Sequence, residues 1–160
     1  ALGEFYKDDL KDNGVDSNLN SETLEEGITG KCLVMTAEDA SRTMNTFLGI
    51  TGSYSRAEIM EGALKDSEYL YIEGYLVTSE NGIDAMQYAK KMAEDNGVKT
   101  ALTFSDPSMV KYFRDAMVSV VGSGVDLLFC NEEEAMLYTE KDNLADAREA
   151  VPFSLKKELL

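Results

Sequence analysis

The chain has 160 residues, and its 30 acidic and 15 basic side chains give a formal net charge of −15. This charge argues against nucleic-acid binding, because phosphate contacts need a basic surface. The sequence contains no histidine, which excludes histidine-based triads and zinc hydrolases of the usual kind. Any chemistry must then use carboxylates, Lys, Tyr, Cys or a bound cation such as Mg²⁺, although an acidic surface that keeps the protein soluble explains the charge more simply.

Hydrophobic residues make up 44% of the chain, which predicts a folded domain rather than disorder. No apolar run approaches the roughly 18 residues of a transmembrane helix. The first residues lack the pattern of a signal peptide. Cys32 and Cys130 lie in apolar surroundings, which favours buried thiols over a disulfide. Together these features predict a cytoplasmic protein without a membrane partner.

The first 50 residues predict a helix followed by a hairpin. Apolar side chains at helical spacing precede a stop signal at Asn13-Gly14. A polar, acidic connector follows over residues 15–28. Residues 31–36 and 43–48 are typical of two strands that flank a turn.

The predicted hairpin is unusually polar for a buried strand pair, so one of its faces should meet water or a ligand. Arg42 is its most informative residue. An arginine in such a hairpin costs stability unless it meets an anion or a carboxylate. Two interpretations are open: contact with a bound ligand, or an ion pair with Glu38 or Asp39 across the turn.

From about residue 54, predicted helices and strands alternate. The strands are predicted at 69–72, 100–104 and 125–130. The helices are predicted after Ser55, around 83–93, from Ser108 to Val121, from Asn131 to Tyr138, over 142–150, and beyond Pro152 to Leu160. Short apolar strands alternating with helices predict consecutive βαβ crossovers and a parallel sheet covered on both faces.

Polar residues follow the predicted strands, at the sheet edge where parallel α/β proteins bind ligands. Asn131 and Glu134 have the spacing of a capping box, in which each side chain accepts from the other residue's backbone N–H. The same spacing places both at a helix N-terminus, which attracts phosphate, and there Glu134 could hold Mg²⁺ through water. A capping role and a phosphate or metal role both remain open.

Glu73 and Asp106 end the other two predicted strands. Glu73 precedes Gly74, which permits close approach of the backbone, so the carboxylate could bind substrate hydroxyls or could be an exposed loop acid. Asp106 precedes Pro107, which favours a turn or a helix cap.

Several of these motifs occur together in one order along nearly the whole chain. They lie at 3–16, at 29–32 followed by 39–49, at 71–75, at 105–107 and at 131–135. In this order they resemble the ribokinase-like (PfkB) carbohydrate kinases, and within them the branch of adenosine and sugar kinases. A set of ordinary motifs in a fixed order is much more specific than any one of them.

The resemblance implies a three-layer α/β/α sandwich with a mainly parallel, Rossmann-like sheet and part of a small β-sheet lid. Residues 1–28 would be a helix and connector of the core, 29–50 part of the lid, and 51–160 the incomplete core. The implied reaction is ATP-dependent phosphorylation of a sugar or nucleoside hydroxyl.

The resemblance also implies roles for individual residues. Asn131 and Glu134 would organise Mg²⁺ and the ATP phosphates, with Glu134 holding the metal through water. The substrate would be bound by Glu73, Arg42, Asn45 and Thr46. The lid would support a homodimer.

The chain departs from the family pattern at both ends, and it lacks the family's Gly-Gly-x-x-x-Asn substrate motif as well as its carboxyl-terminal part. No Gly-x-Gly-Asp occurs, although the family's Gly-Ala-Gly-Asp signature supplies the catalytic base and the anion hole. Without these groups phosphoryl transfer should be very weak. We therefore expect this chain to be the middle part of a kinase and inactive by itself. The alternative is a non-catalytic α/β module that binds a small polyol or nucleoside.

Overall fold

The computed structural model describes residues 2–15 and 27–151. By its contacts the chain divides into two compact units, Ala1–Ser53 and Tyr54–Leu160. Most of the acidic connector, the break at Pro152 and the last predicted helix lie outside the described residues. Within the described residues no helix is long and apolar enough to cross a membrane.

The first unit contains the predicted helix and hairpin. Helix α1 (Leu2–Asp12) ends as predicted at Asn13, whose side chain donates to the Asp9 carbonyl at 2.8 Å. Strands β1 (Lys31–Thr36) and β2 (Arg42–Phe47) pair antiparallel. We call residues 31–47 the lid hairpin. Every residue of both strands is exposed, so both faces of the lid hairpin are open rather than one.

The second unit shows the predicted alternation of helices and strands. Its strands are β3 (Tyr69–Glu73), β4 (Lys99–Thr103) and β5 (Leu127–Phe129). Its helices are α2 (Glu61–Lys65), α3 (Glu80–Asp95), α4 (Pro107–Val121), α5 (Glu132–Thr139) and α6 (Leu144–Ala150). Turns of 3-10 helix lie at Gly49–Ser53 in the first unit and at Arg56–Glu58 and Gly74–Thr78 in the second.

One predicted helix start is wrong. Ser55 does form a cap, but it caps the 3-10 turn, and Glu58 closes the capping box on the Ser55 backbone N–H at 2.7 Å. Ile59 is then extended, with φ −78° and ψ 118°, which ends the turn. Helix α2 therefore begins only at Glu61.

Strand β5 is shorter than predicted because the Asp126 side chain replaces the backbone hydrogen bonds to β4 at the start of the strand. The Asp126 carboxylate accepts from the Thr100 N–H at 2.7 Å and from the Thr100 hydroxyl at 3.0 Å. The Asp126 N–H in turn donates to that hydroxyl at 3.2 Å. These bonds satisfy the backbone next to β4, and regular pairing begins at Leu127.

The three strands of the second unit are parallel and lie in the order β3-β4-β5. Consecutive right-handed crossovers place α3 and α4 on the same face of such a sheet. On that face Ile72, Leu102 and Leu128 are buried against apolar residues of the helices. On the other face Tyr71 is 56% exposed, so within the described residues the helical cover lies on one side. All three carboxyl ends lie at one edge.

Candidate functional site

The first element of this edge is the cap of α5. The Asn131 Oδ1 accepts from the Glu134 N–H at 2.9 Å, and the Glu134 carboxylate accepts from the Asn131 N–H at 2.9 Å. The Asn131 side-chain amide also donates to the second carboxylate oxygen at 3.0 Å. The predicted capping box is therefore confirmed, and both Glu134 oxygens are held by one residue.

Glu134 is unusual for a glutamate because only 5% of its surface is exposed. Burial raises its pKa above the ordinary value, and the charges of Asp106 and Glu133 add to the rise. The hydrogen bond from the Asn131 backbone opposes the rise. A buried carboxylate among like charges is a site where a cation would be stabilised.

Asp106, three residues after the end of β4, caps α4. Its carboxylate accepts from the Ser108 N–H at 2.7 Å, and Pro107 occupies the first turn. The predicted cap is thus confirmed, although α4 begins one residue earlier than expected. Strands β4 and β5 are neighbours in the sheet, so the caps of α4 and α5 follow adjacent strand ends, and the Asp106 charge contributes to the raised pKa of Glu134.

Glu73, at the end of β3, is partly buried and held by two hydroxyls. The Ser105 hydroxyl donates to one carboxylate oxygen, and the Tyr71 hydroxyl donates to the other at 3.3 Å. Gly74 follows, and a Cβ there would lie 2.8 Å from the Ser105 Oγ and 2.9 Å from the Phe104 carbonyl oxygen. The backbones after β3 and β4 therefore approach too closely for any larger residue.

The three hairpin residues that the resemblance implies for substrate binding lie on opposite faces of the lid hairpin. Arg42 lies opposite Thr36 and Thr46 opposite Cys32, and these positions share one face of the ribbon. Asn45 lies opposite Leu33 on the other face. One ligand surface can therefore meet Arg42 and Thr46 together, or Asn45, but not all three.

The described residues do not support the interpretation that Arg42 forms an ion pair across the turn. No ion pair joins Arg42 to Glu38 or Asp39 there. Asp39 instead accepts from the Ser41 N–H at 3.0 Å, and hydrogen bonds from Ser41 lower its pKa.

The two cysteines differ in their surroundings, and neither is in a disulfide. Cys32 is exposed on the lid hairpin, so the prediction of a buried thiol is wrong there. Cys130 is half-buried, and burial together with the charge of Glu134 raises its pKa to about 11. A thiol with that pKa is almost entirely protonated at neutral pH, which makes it a poor nucleophile.

Sequence reasoning missed the contact between Ser105 and Glu73. Ser105 was part of a recognised strand-end segment, yet no spacing rule pairs it with a residue 32 positions earlier. Its left-handed backbone, with φ 70°, is equally invisible in the sequence. The contact follows only from the register between β3 and β4.

The donor set of this edge suits Mg²⁺. No group of three or more acidic or thiol side chains able to hold a metal occurs within residues 2–15 and 27–151. Magnesium, however, is usually bound through one or two carboxylates, with waters and substrate phosphates completing its shell. Glu134, with the Asp106 charge close by, fits that pattern.

The family profile of the pfkB family carbohydrate kinases matches residues 1–159. The chain belongs to this family. No curated protein matches the sequence significantly.

Solved structures give the same result. An adenosine kinase from Sinorhizobium meliloti is 30% identical with a TM-score of 0.82, over 91% of this chain and 45% of that chain. A probable sugar kinase from Rhizobium etli CFN 42 is 25% identical with a TM-score of 0.83, over 93% and 45% of the two chains. The α/β sandwich predicted from the sequence is confirmed.

A third structure shares the fold at lower identity. It is an E. coli protein provisionally called ribokinase II, solved in complex with ATP and Mg²⁺. It is 22% identical with a TM-score of 0.75, over 92% of this chain and 48% of that chain. The chain thus spans slightly less than half the length of these solved chains.

Proposed function

We propose that this chain is the middle part of a kinase that transfers the terminal phosphate of ATP to a hydroxyl of a sugar or nucleoside. The observation that carries the proposal is the position of the Asn131–Glu134 cap. It lies at the carboxyl edge of a parallel sheet, beside Asp106 and on the same edge as Glu73, in a chain of the pfkB family.

The cap of α5 is the proposed site for phosphate and magnesium. The N-terminus of an α-helix carries partial positive charge, which stabilises transferred phosphate groups. The bound Mg²⁺ would neutralise developing charge on the phosphate oxygens, with Glu134 holding it through water. Asn131 keeps the Glu134 carboxylate in one orientation through its two N–H donors.

Glu73 is the proposed contact to the substrate. A carboxylate accepts hydrogen bonds, so it is suited to neighbouring hydroxyls of a sugar ring. Arg42, Asn45 and Thr46 of the lid hairpin are further proposed contacts to the substrate. Either the face with Arg42 and Thr46 or the face with Asn45 would contact it, and separate alanine variants of Arg42 and Asn45 distinguish the two.

The substrate class we favour is a nucleoside or a related sugar. The Arg42-Thr43-Met44 segment of the lid supports this choice, and the similar S. meliloti protein is named as an adenosine kinase. A cytoplasmic location agrees with two cysteines that are both free.

We also propose that the lid hairpin forms a dimer contact. A two-stranded hairpin is marginally stable alone, and its unpaired edges can pair with another chain. Leu33 is 63% exposed and Phe47 is 54% exposed, and their register places them on the same face of the ribbon. Burial of these side chains would favour association.

The test compares the protein encoded by the complete open reading frame with the 160-residue piece. Intact mass distinguishes the two, since the piece has a mass of 17.6 kDa. ADP release is then measured with ATP, Mg²⁺ and a panel of adenosine, ribose and fructose. We expect acceptor-dependent ADP from the full-length protein and none from the piece, which lacks a Gly-x-Gly-Asp base.

Two outcomes would contradict the proposal. A full-length protein that releases no acceptor-dependent ADP with any of these acceptors would not be the proposed kinase. A 160-residue piece that turns over as fast as the full-length protein would show that the chain is not a partial segment. Binding of an acceptor by the piece without turnover agrees with the missing base.

A further inference from the structure

The junction after β4 contains a backbone conformation that serine rarely adopts. Ser105 has φ 70°, in the left-handed region where Gly and Asn are favoured and a Cβ causes strain. Strained residues of this kind persist when surrounding contacts hold them, and they cluster at functional sites. Ser105 is part-buried and lies two residues after the end of β4, the strand that pairs with β3.

Hydrogen bonds on both sides of Ser105 hold its backbone in this conformation. The Ser105 N–H donates to the Thr103 hydroxyl at 3.1 Å, and the Asp106 N–H donates to the Phe104 carbonyl at 2.8 Å. On the other side Gly74 leaves the space that the Ser105 side chain uses. The result is a tight turn that directs the Ser105 hydroxyl back to Glu73.

Backbone strain alone would favour glycine at this position. Glycine would adopt the same φ without strain and would fit the same turn. The hydroxyl adds a hydrogen bond to the Glu73 carboxylate. The other carboxylate oxygen accepts from Tyr71, so the two hydroxyls together restrict the carboxylate to one rotamer.

We propose that Ser105 is a positioning residue for substrate recognition: its hydroxyl holds the Glu73 carboxylate in the orientation that accepts hydrogen bonds from the phosphoryl acceptor. This inference rests on the proposed function, because it requires Glu73 to face the acceptor. Ser105 would act through Glu73, so it would affect acceptor binding and not the phosphate-transfer step.

The test uses two substitutions of Ser105 in the full-length protein that both remove the hydroxyl but differ in their effect on backbone strain. Ser105→Ala and Ser105→Gly both remove the hydroxyl, but only glycine relieves the left-handed strain. We expect both variants to raise the KM for the acceptor by about three- to tenfold, the equivalent of one lost hydrogen bond. The kcat and the KM for ATP should change less than twofold.

Stability separates positioning from structural support. The thermal midpoint of the glycine variant should lie above that of the alanine variant, although their acceptor KM values agree. Ser108→Ala, an exposed serine on the first turn of α4, is the matched control and should leave all constants unchanged. If the acceptor KM instead follows stability, with glycine like wild type and alanine impaired, the role is structural and the inference is wrong.

Glu73→Gln distinguishes failure of this inference from failure of the proposed function. A Glu73→Gln variant with unchanged acceptor KM would show that Glu73 does not bind the acceptor, which overturns that part of the proposed function and this inference with it. If Glu73→Gln raises the acceptor KM but the Ser105 variants leave it unchanged, this inference alone is overturned. In the expected case the double variant Ser105→Ala/Glu73→Gln is no worse than Glu73→Gln, because Ser105 acts through Glu73.

Discussion

Replacing Asn131 by alanine removes the acceptor for the Glu134 N–H and one donor to the Glu134 carboxylate. Loss of an Asn cap costs about 1 kcal/mol. A buried carboxylate left with fewer partners costs about 1 kcal/mol more. The expected loss of unfolding free energy is therefore about 2 kcal/mol, because Glu134 is only 5% exposed.

Two further substitutions separate the cap from the proposed phosphate site. Serine caps helices about as well as asparagine but lacks the amide that donates to Glu134, so Asn131→Ser should lose about 1 kcal/mol, half the loss expected for Asn131→Ala. Glutamine also closes a capping box, so Glu134→Gln keeps the cap and removes a buried charge. If the site organises phosphate and metal, both variants should lose turnover while they remain folded, Glu134→Gln by roughly 10²-fold.

The pH dependence of Glu134→Gln has a defined sign. Since burial raises the pKa of Glu134, the folded protein binds that proton more tightly than the unfolded chain. Wild type therefore loses stability as the pH rises from the ordinary glutamate pKa to the raised pKa of Glu134 in the folded protein. Above that range Glu134 is ionised, and the folded protein carries the full free-energy cost of the buried charge. Glu134→Gln should lack this pH-dependent loss.

The assay combines thermal unfolding with acceptor-dependent ADP release on the same preparations of the full-length protein. Glu132→Gln is the control, because Glu132 is an exposed carboxylate in the first turn of the same helix. Normal turnover in both Asn131→Ser and Glu134→Gln would refute the reasoning, and the cap would then be purely structural. Loss of turnover only where stability is lost, as in Asn131→Ala, would refute it equally.

Two other predictions concern the close strand approach and the lid. Gly74→Ala should lose about 2 kcal/mol of unfolding free energy in urea, because the new Cβ overlaps the Thr103 carbonyl. The control Gly62→Ala, at an open position of α2, should gain up to about 1 kcal/mol. Equal urea midpoints for the two variants would contradict the close approach of the strands. Phe47→Asp should convert a full-length dimer to a monomer in sedimentation velocity, whereas Tyr112→Ser, at another exposed aromatic residue, should leave it dimeric; an unchanged Phe47→Asp dimer would exclude the lid as the contact.

Features that depend on neighbours along the chain could be predicted from the sequence. The capping box at Asn131 and Glu134 depends on residues three positions apart, and the cap at Asp106 on residues two apart. The alternation of short strands with helices likewise follows from local apolar spacing, which was sufficient to predict the α/β class and its parallel sheet.

Features that depend on register or on packing could not. The bond from Ser105 to Glu73 joins residues 32 apart, and the bond that shortens β5 joins Thr100 to Asp126, 26 apart. The sequence also gave no means to separate Arg42 from Asn45, because their opposite faces matter only once the strand is paired. By itself the sequence determined which strand ends carry polar groups; only the tertiary structure decided which of those groups meet, because strand register and a left-handed backbone arise from contacts between distant segments.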